Sequence, residues 1–194
     1  GYDGDTTYYV VDVPTKDTVR LSDEEGGAVV AGSSDSSGLW VMAHTGITDR
    51  DDILYWYSAW DGSAWNWEVI ARGGCGIAPD RSGYAGELVL NPLDTSQVVM
   101  SSNAAEPFEL KQNAGLIEGD PNSPHEIHVG KRSSEGLWTW EQWTRHSGPR
   151  EHNVRPQIIT NAARTAAAAV WMQCLYSSGG FDAIESRILV KPLT

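Results

Sequence analysis

The chain has 194 residues, 40% hydrophobic and 21% charged, with 26 acidic against 14 basic residues and a formal net charge of −12. These values fit one folded domain with a core, exclude a disordered chain and disfavour a phosphate-binding basic surface, so nucleic acid is a poor candidate partner. No apolar run approaches the ~20 residues that a membrane-spanning helix needs.

Short β-branched and aromatic runs between turn clusters predict strands over residues 6–13, 28–31, 39–44, 53–60 and 65–71. The rhythm continues over 87–90, 98–101, 126–131, 138–144, 157–160, 166–175 and 184–190, each bounded by Gly, Pro, Asn, Asp or Ser. The expected class is all-β. The alanine run after Arg164 invites a helix, but the adjoining Val170, Trp171 and Cys174 fit a buried strand better.

Nine Trp stand against two Phe, and Trp suits both a strand core and stacking on sugar rings. Cys75 and Cys174 have no metal-ligand spacing; they either pair with each other or are two buried thiols. The sequence starts at Gly1 with neither Met nor a signal-like apolar run, which reads as a processed or excised chain. Three turns look alike: Ser36-Ser37-Gly38-Leu39-Trp40, Asp61-Gly62-Ser63-Ala64-Trp65 and Ser134-Glu135-Gly136-Leu137-Trp138. The last two continue as Trp65-Asn66-Trp67-Glu68 and Trp138-Thr139-Trp140-Glu141, with both Trp of each unit on one strand face. Such a repeated strand-turn-strand unit is what propeller blades present, with a sandwich or jelly roll as the alternatives.

The run from Tyr84-Ala85-Gly86-Glu87 through Asn91-Pro92-Leu93-Asp94 to Ser101-Ser102-Asn103 resembles the signature of the bacterial-neuraminidase-like (Asp-box) repeat proteins. Downstream, Pro124 to Lys131 is similar to the family's next strand, Ser133 to Trp140 to a worn Asp-box turn, and Asn153-Val154-Arg155-Pro156 to its approach to a following blade. Upstream, Tyr55 to Trp65 resembles the family's aromatic strand and hairpin. The resemblance implies β-propeller blades, about four of them at ~40 to 50 residues each, as in the C-terminal half of seven-bladed polysaccharide lyases such as ulvan or rhamnose-glucuronate lyases. The implied reaction is β-elimination at a uronic acid, with an Arg neutralising the substrate carboxylate and His or Tyr moving the protons. An acidic polysaccharide is then the expected partner and a secreted, extracellular or periplasmic location the expected place.

Carried over residue by residue, the resemblance implies Tyr57 as proton-transfer residue and Arg72 as carboxylate partner, with His44 as a third catalytic candidate. Tyr84, Arg155, Asn103 and Tyr55 are the implied substrate-binding residues. Each also has a structural reading: a hydrogen-bonded aromatic for Tyr57, a solvated hairpin cation for Arg72, an apolar-strand residue for His44, architecture for Tyr84 and Arg155, a turn cap for Asn103. The chain departs from the family in having only His44 ahead of Tyr57, where paired catalytic histidines are expected. It also has roughly half the length of seven blades, so a missing N-terminal part, another copy of the chain or a closed four-bladed ring would have to complete it.

His125 and His128 are three apart in a strand and so fall on opposite faces, against a shared metal. His146 and His152 flank the loop Ser147 to Glu151 and are expected to be exposed. No cofactor is implied, although the acidic segments Asp49 to Asp52 and Glu118 to Asp120 leave a structural Ca²⁺ open. A sugar-binding propeller without chemistry and a structural subunit of an extracellular assembly are the alternatives to a lyase.

Overall fold

The computed structural model describes residues 8–11, 18–22, 28–34, 40–49, 52–61, 63–74, 87–110, 123–145, 151–176 and 183–194, the first four segments by backbone alone. They form β1 (Tyr8–Val11), β2 (Thr18–Ser22), β3 (Ala28–Ser34), β4 (Trp40–Asp49), β5 (Asp52–Trp60) and β6 (Trp65–Gly74). Next come β7 (Leu88–Leu90), β8 (Gln97–Ser102), β9 (Glu126–Arg132), β10 (Trp138–Gln142), β11 (Glu151–Thr160), β12 (Ala167–Tyr176) and β13 (Ala183–Pro192). The described residues are all-β and hold no helix, so none long and apolar enough to cross a membrane.

Every sheet is an antiparallel meander: a β1–β2 hairpin, four strands in the order β3-β4-β5-β6, four in the order β10-β9-β8-β7, and three in the order β11-β12-β13. The three larger sheets pack face to face, with β7–β10 in the middle. Strand alternation explains how one sheet serves two cores. From β7 and β8, Leu88, Leu90, Val98 and Met100 pack against Ile53, Tyr55, Tyr57, Ile70 and Ala71 of the preceding sheet. The intervening Val89 and Val99, with Ile127 and Val129, pack against Ala169 and Trp171 of the following one. β7 and β8 are therefore buried throughout, whereas β10 at the sheet's outer edge is half-buried to exposed.

The two Trp-x-Trp-Glu units open β6 and β10, the last strand of each four-stranded sheet. In each, the second Trp stands opposite a small residue, Trp67 opposite Ser58 and Trp140 opposite Gly130. At Gly130 the fit is close: an added Cβ would lie 2.5 Å from the Trp140 ring, so the indole lies flat on a bare backbone. The units also meet, as Glu68 of the first accepts hydrogen bonds from Arg132 Nε (2.8 Å) and from Trp138 Nε1 of the second (3.4 Å). Trp40, unlike Trp65 and Trp138, opens an inner strand, β4. The alanine run forms a strand, β12, as expected.

Two expectations fail at β11. The strand begins at Glu151, not at Gln157, and His152 is buried at 5% exposure instead of flanking an open loop. Pro156 is the physical reason for the difference in strand start. It lies where the β11–β12 register shifts between Val154 and Gln157, a bulge at which the missing N–H breaks no ladder bond, so the strand runs through it. β2 was also not foreseen.

Candidate functional site

The two ends of the stacked sheets differ in their connections. At one end the described turns are short: 61–64, 91–96, 133–137 and 161–166. Polar side chains close them locally. Asp61 Oδ1 accepts from the Ser63 and Ala64 amides, each at 2.8 Å, Asp94 Oδ1 from the Ser96 amide at 3.0 Å, and Asn161 Oδ1 from the Thr165 amide at 2.8 Å. At the other end, three connections are longer: 75–87, 103–125 and 143–150. Long connections carried by rigid strands are where binding residues collect.

The long-loop end holds one hydrogen-bond network that crosses the three sheets. Tyr55 on β5 donates its hydroxyl to Ser101 O on β8 at 2.7 Å. Ser101 donates its amide to Glu87 O at 2.9 Å and its hydroxyl to Asn153 O on β11 at 2.6 Å. Asn153, fully buried, donates its amide to His125 O at 2.9 Å and accepts at Oδ1 from Trp171 Nε1 at 3.1 Å. Its Nδ2 reaches Glu126 Oε2 at 3.4 Å, and Thr144 donates to the same carboxylate oxygen at 2.5 Å. His125 and His152 face each other with their Nδ1 atoms 3.1 Å apart, so one ring carries the shared proton and the other accepts it.

Two charged residues stand at the mouth of this network. Glu87, half-buried just before β7, has φ +80°, and Arg155, exposed at the β11 bulge, has φ +56°. Left-handed backbone costs about 1 kcal/mol or more at a side-chain-bearing residue and is held in place by its surroundings. Glu87 lies just before β7 and Arg155 within β11, the first strands of two neighbouring sheets; Arg164 in the 161–166 turn also has φ +53°. Burial raises the Glu87 carboxyl and the Arg155 guanidinium opposes that shift. Burial, and then the Glu87 charge, drive the Tyr55 phenol well above its ordinary range, while a hydrogen bond with the Glu87 backbone works the other way. Burial also lowers the His152 imidazole, which favours its neutral form.

Of the residues implied as substrate-binding, Tyr55 and Arg155 are therefore brought together, and Glu87 joins them. Its signal in the sequence is its place at the end of the Tyr84-Ala85-Gly86-Glu87 motif. Asn103 is buried at 6% exposure beside the end of β6, with its amide on Gly73 O at 3.2 Å and Nδ2 on Ser123 O at 3.4 Å, a turn-tying position. Tyr84 lies outside the described residues.

The structure does not bring Tyr57 and Arg72 together. Tyr57 is buried at 4% exposure near the short-turn end, its hydroxyl donating to Thr95 O at 3.1 Å and its ring under Arg132 and edge-on to Trp138. Arg72 is not the solvated hairpin cation of the alternative reading. It is 8% exposed, with its Nε donating to Glu109 O at 3.3 Å and its amide to Pro107 O at 2.8 Å. In the ladder Tyr57 pairs with Glu68 and Arg72 with Leu54, three positions away, or roughly 10 Å along the strand. His44 pairs with Trp56, in the row next to Tyr57.

His125 and His128 have separate surroundings, His125 against His152 and His128 edge-on to Phe108. Cys174 is buried at 1% exposure, and Cys75 lies outside the described residues. The side chains of 49–52 and 118–120, raised for Ca²⁺, also lie outside them. Among the described residues no group of three or more His, Cys, Asp or Glu could hold a metal ion. No family model, curated protein or solved structure matches the chain.

Proposed function

We propose that the sheets are blades of a propeller-type protein, similar to the Asp-box polysaccharide lyases, that acts on a uronate-containing polysaccharide at the long-loop end. Support for blades comes from the stacked antiparallel meanders and from the contacts that β7 makes with both β3 and β11, the first strands of the sheets on either side. The observation that carries the polysaccharide reading is Arg155: an exposed guanidinium beside Glu87, above a network containing Tyr55 and the neutral-favouring His152. A guanidinium fork pairs with a uronate carboxylate and stabilises the charge that develops when the adjacent carbon loses its proton.

In β-elimination the C5 proton leaves to a base, the C4–O bond breaks, its electron pair stays on the leaving oxygen, and a proton from a second group neutralises it. Arg155 is assigned the carboxylate in place of Arg72, whose guanidinium is committed to the loop over β6. A second reading, sugar binding without cleavage, is favoured by burial: Tyr55 and His125 are 0% exposed, Tyr57 4% and His152 5%. One experiment separates the two. The chain is mixed with uronate polymers, and both the ultraviolet absorbance of an unsaturated uronate and binding are followed. Cleavage that disappears in Arg155→Ala supports the lyase; binding without absorbance, weakened by Arg155→Ala, supports the binding module; neither signal with any uronate polymer discards both. A secreted location follows from this reading.

A further inference from the structure

We propose that the chain pairs with a second copy of itself along the outer edge of β13, so that two β11–β13 sheets become one continuous sheet. In both larger sheets the outer position is held by a strand that opens Trp-x-Trp, β6 or β10, and that pattern occurs nowhere else in the sequence. The β11–β13 sheet has three strands, and the outer edge of β13 pairs with no described strand. β13 is ten residues long. A strand of that length with one side unpaired among the described strands offers a row of backbone donors and acceptors on which another strand can form.

The sequence of β13 names its own partner. Laid antiparallel on itself about Ile188, it sets Glu185 opposite Lys191, Arg187 opposite Leu189, Ser186 opposite Val190 and Ile188 opposite Ile188. The two-fold axis generates the Glu185–Lys191 pairing twice and sets no like charges directly opposite, which matters for a chain of net charge −12. Ile188 and Val190 are 66% and 58% exposed, and they share a face with Met172 and Val170 across the β12 ladder. From Ser186 to Pro192 that face of β13 carries no charge. A mated β13 brings a second Ile188 and Val190 onto the same face, so the exposed side chains cover each other. The inference uses only this edge and its register, so it stands or falls apart from the polysaccharide reading.

The test is sedimentation equilibrium of the full chain across a range of concentrations. A reversible dimer is expected. Lys191→Glu or Glu185→Lys alone sets like charges opposite each other in both pairs and should weaken the dissociation constant by roughly tenfold or more. Glu185→Lys combined with Lys191→Glu restores opposite charges across the axis and should restore the dimer. Lys191 also lies 3.8 Å from Glu141 and 4.1 Å from the Trp143 ring within its own chain. Recovery in the combined variant is the readout that loss of those contacts cannot imitate. A chain that stays monomeric at every concentration, or a dimer indifferent to the reversals, overturns the proposal.

Discussion

At the short-turn end of the sheets, the Asp and Asn side chains bond within their own turns, and these bonds span only a few residues, as from Asp61 to Ser63 and Ala64 or from Asn161 to Thr165 and Ala166. At the long-loop end they bond between sheets: Tyr55 to Ser101, Ser101 to Asn153, His125 to His152. The first arrangement fixes where a chain reverses and is open to solvent. The second locks neighbouring sheets in register and is buried, so each of its groups loses more when its partner goes. Bonds between sheets occur at the short-turn end too, from Tyr57 to Thr95 O and from Arg132 to Glu68, but only the long-loop end links all three sheets in one buried network.

This contrast can be broken, first, at Asn153. Asn153→Ala strips a partner from Trp171 Nε1 and from Glu126, both buried. The expected loss of unfolding free energy is about 4 kcal/mol in urea denaturation, for two buried polar groups left short. A loss below about 1 kcal/mol would show that the network does not join the sheets energetically.

Acid should unlock the long-loop end before the short-turn end. Burial takes His128 from 6.5 to about 4. The unfolded chain therefore takes up that proton first as pH falls, and stability drops from near pH 6.5 down to about 4, by on the order of 3 kcal/mol. His152, also lowered by burial, acts in the same direction. Glu87 acts the other way: its raised carboxyl favours the folded state at low pH and loses that contribution as pH rises through its folded value. The Asp61 carboxyl is held low by the Ala64 and Ser63 amides, then by Asn66 and the Ser63 hydroxyl. For Asp94, burial pushes upward but the Ser96 and Lys131 contacts outweigh it. Their contributions are present above the ordinary carboxylate value of 3.8 and are lost below it. Stability measured against pH should fall in two windows, and His128→Leu should flatten only the upper one; a single window at low pH would refute the histidine assignment.

Two smaller effects sharpen the comparison. Tyr55→Phe removes one buried hydroxyl bond and should cost about 1 kcal/mol, with the strands otherwise unchanged. Asp61→Ala, at a fully exposed turn, should lower the thermal midpoint less than Tyr55→Phe does and leave any polysaccharide binding intact. If Asp61→Ala weakens binding as much as Arg155→Ala, the site has been placed at the wrong end.

Local preference sets what the sequence makes legible. Strand positions were legible because β-branched and aromatic runs between turn residues reflect local preference, and most predicted runs overlap a strand within a few residues. β11 was cut short because a proline reads as a stop unless a bulge is known to receive it. Tyr57 and Arg72 are linked in the sequence only through the resemblance, one hairpin apart. The register puts them in different rows, and their hydroxyl and guanidinium are taken by Thr95 O and Glu109 O.

By itself the sequence determined the all-β class, the repeated Trp-x-Trp-Glu strands and the turns closed by Asp and Asn side chains. Each of these rests on contacts among residues close along the chain. Only the tertiary structure decided that Leu88 and Val89 serve different cores, that His125 meets His152, and that Tyr55, Glu87 and Arg155 share one end. Those are contacts between different sheets. They depend on how the sheets stack and on where a bulge shifts the register, and a strand's own residue pattern encodes which face a side chain takes but not what lies across from it.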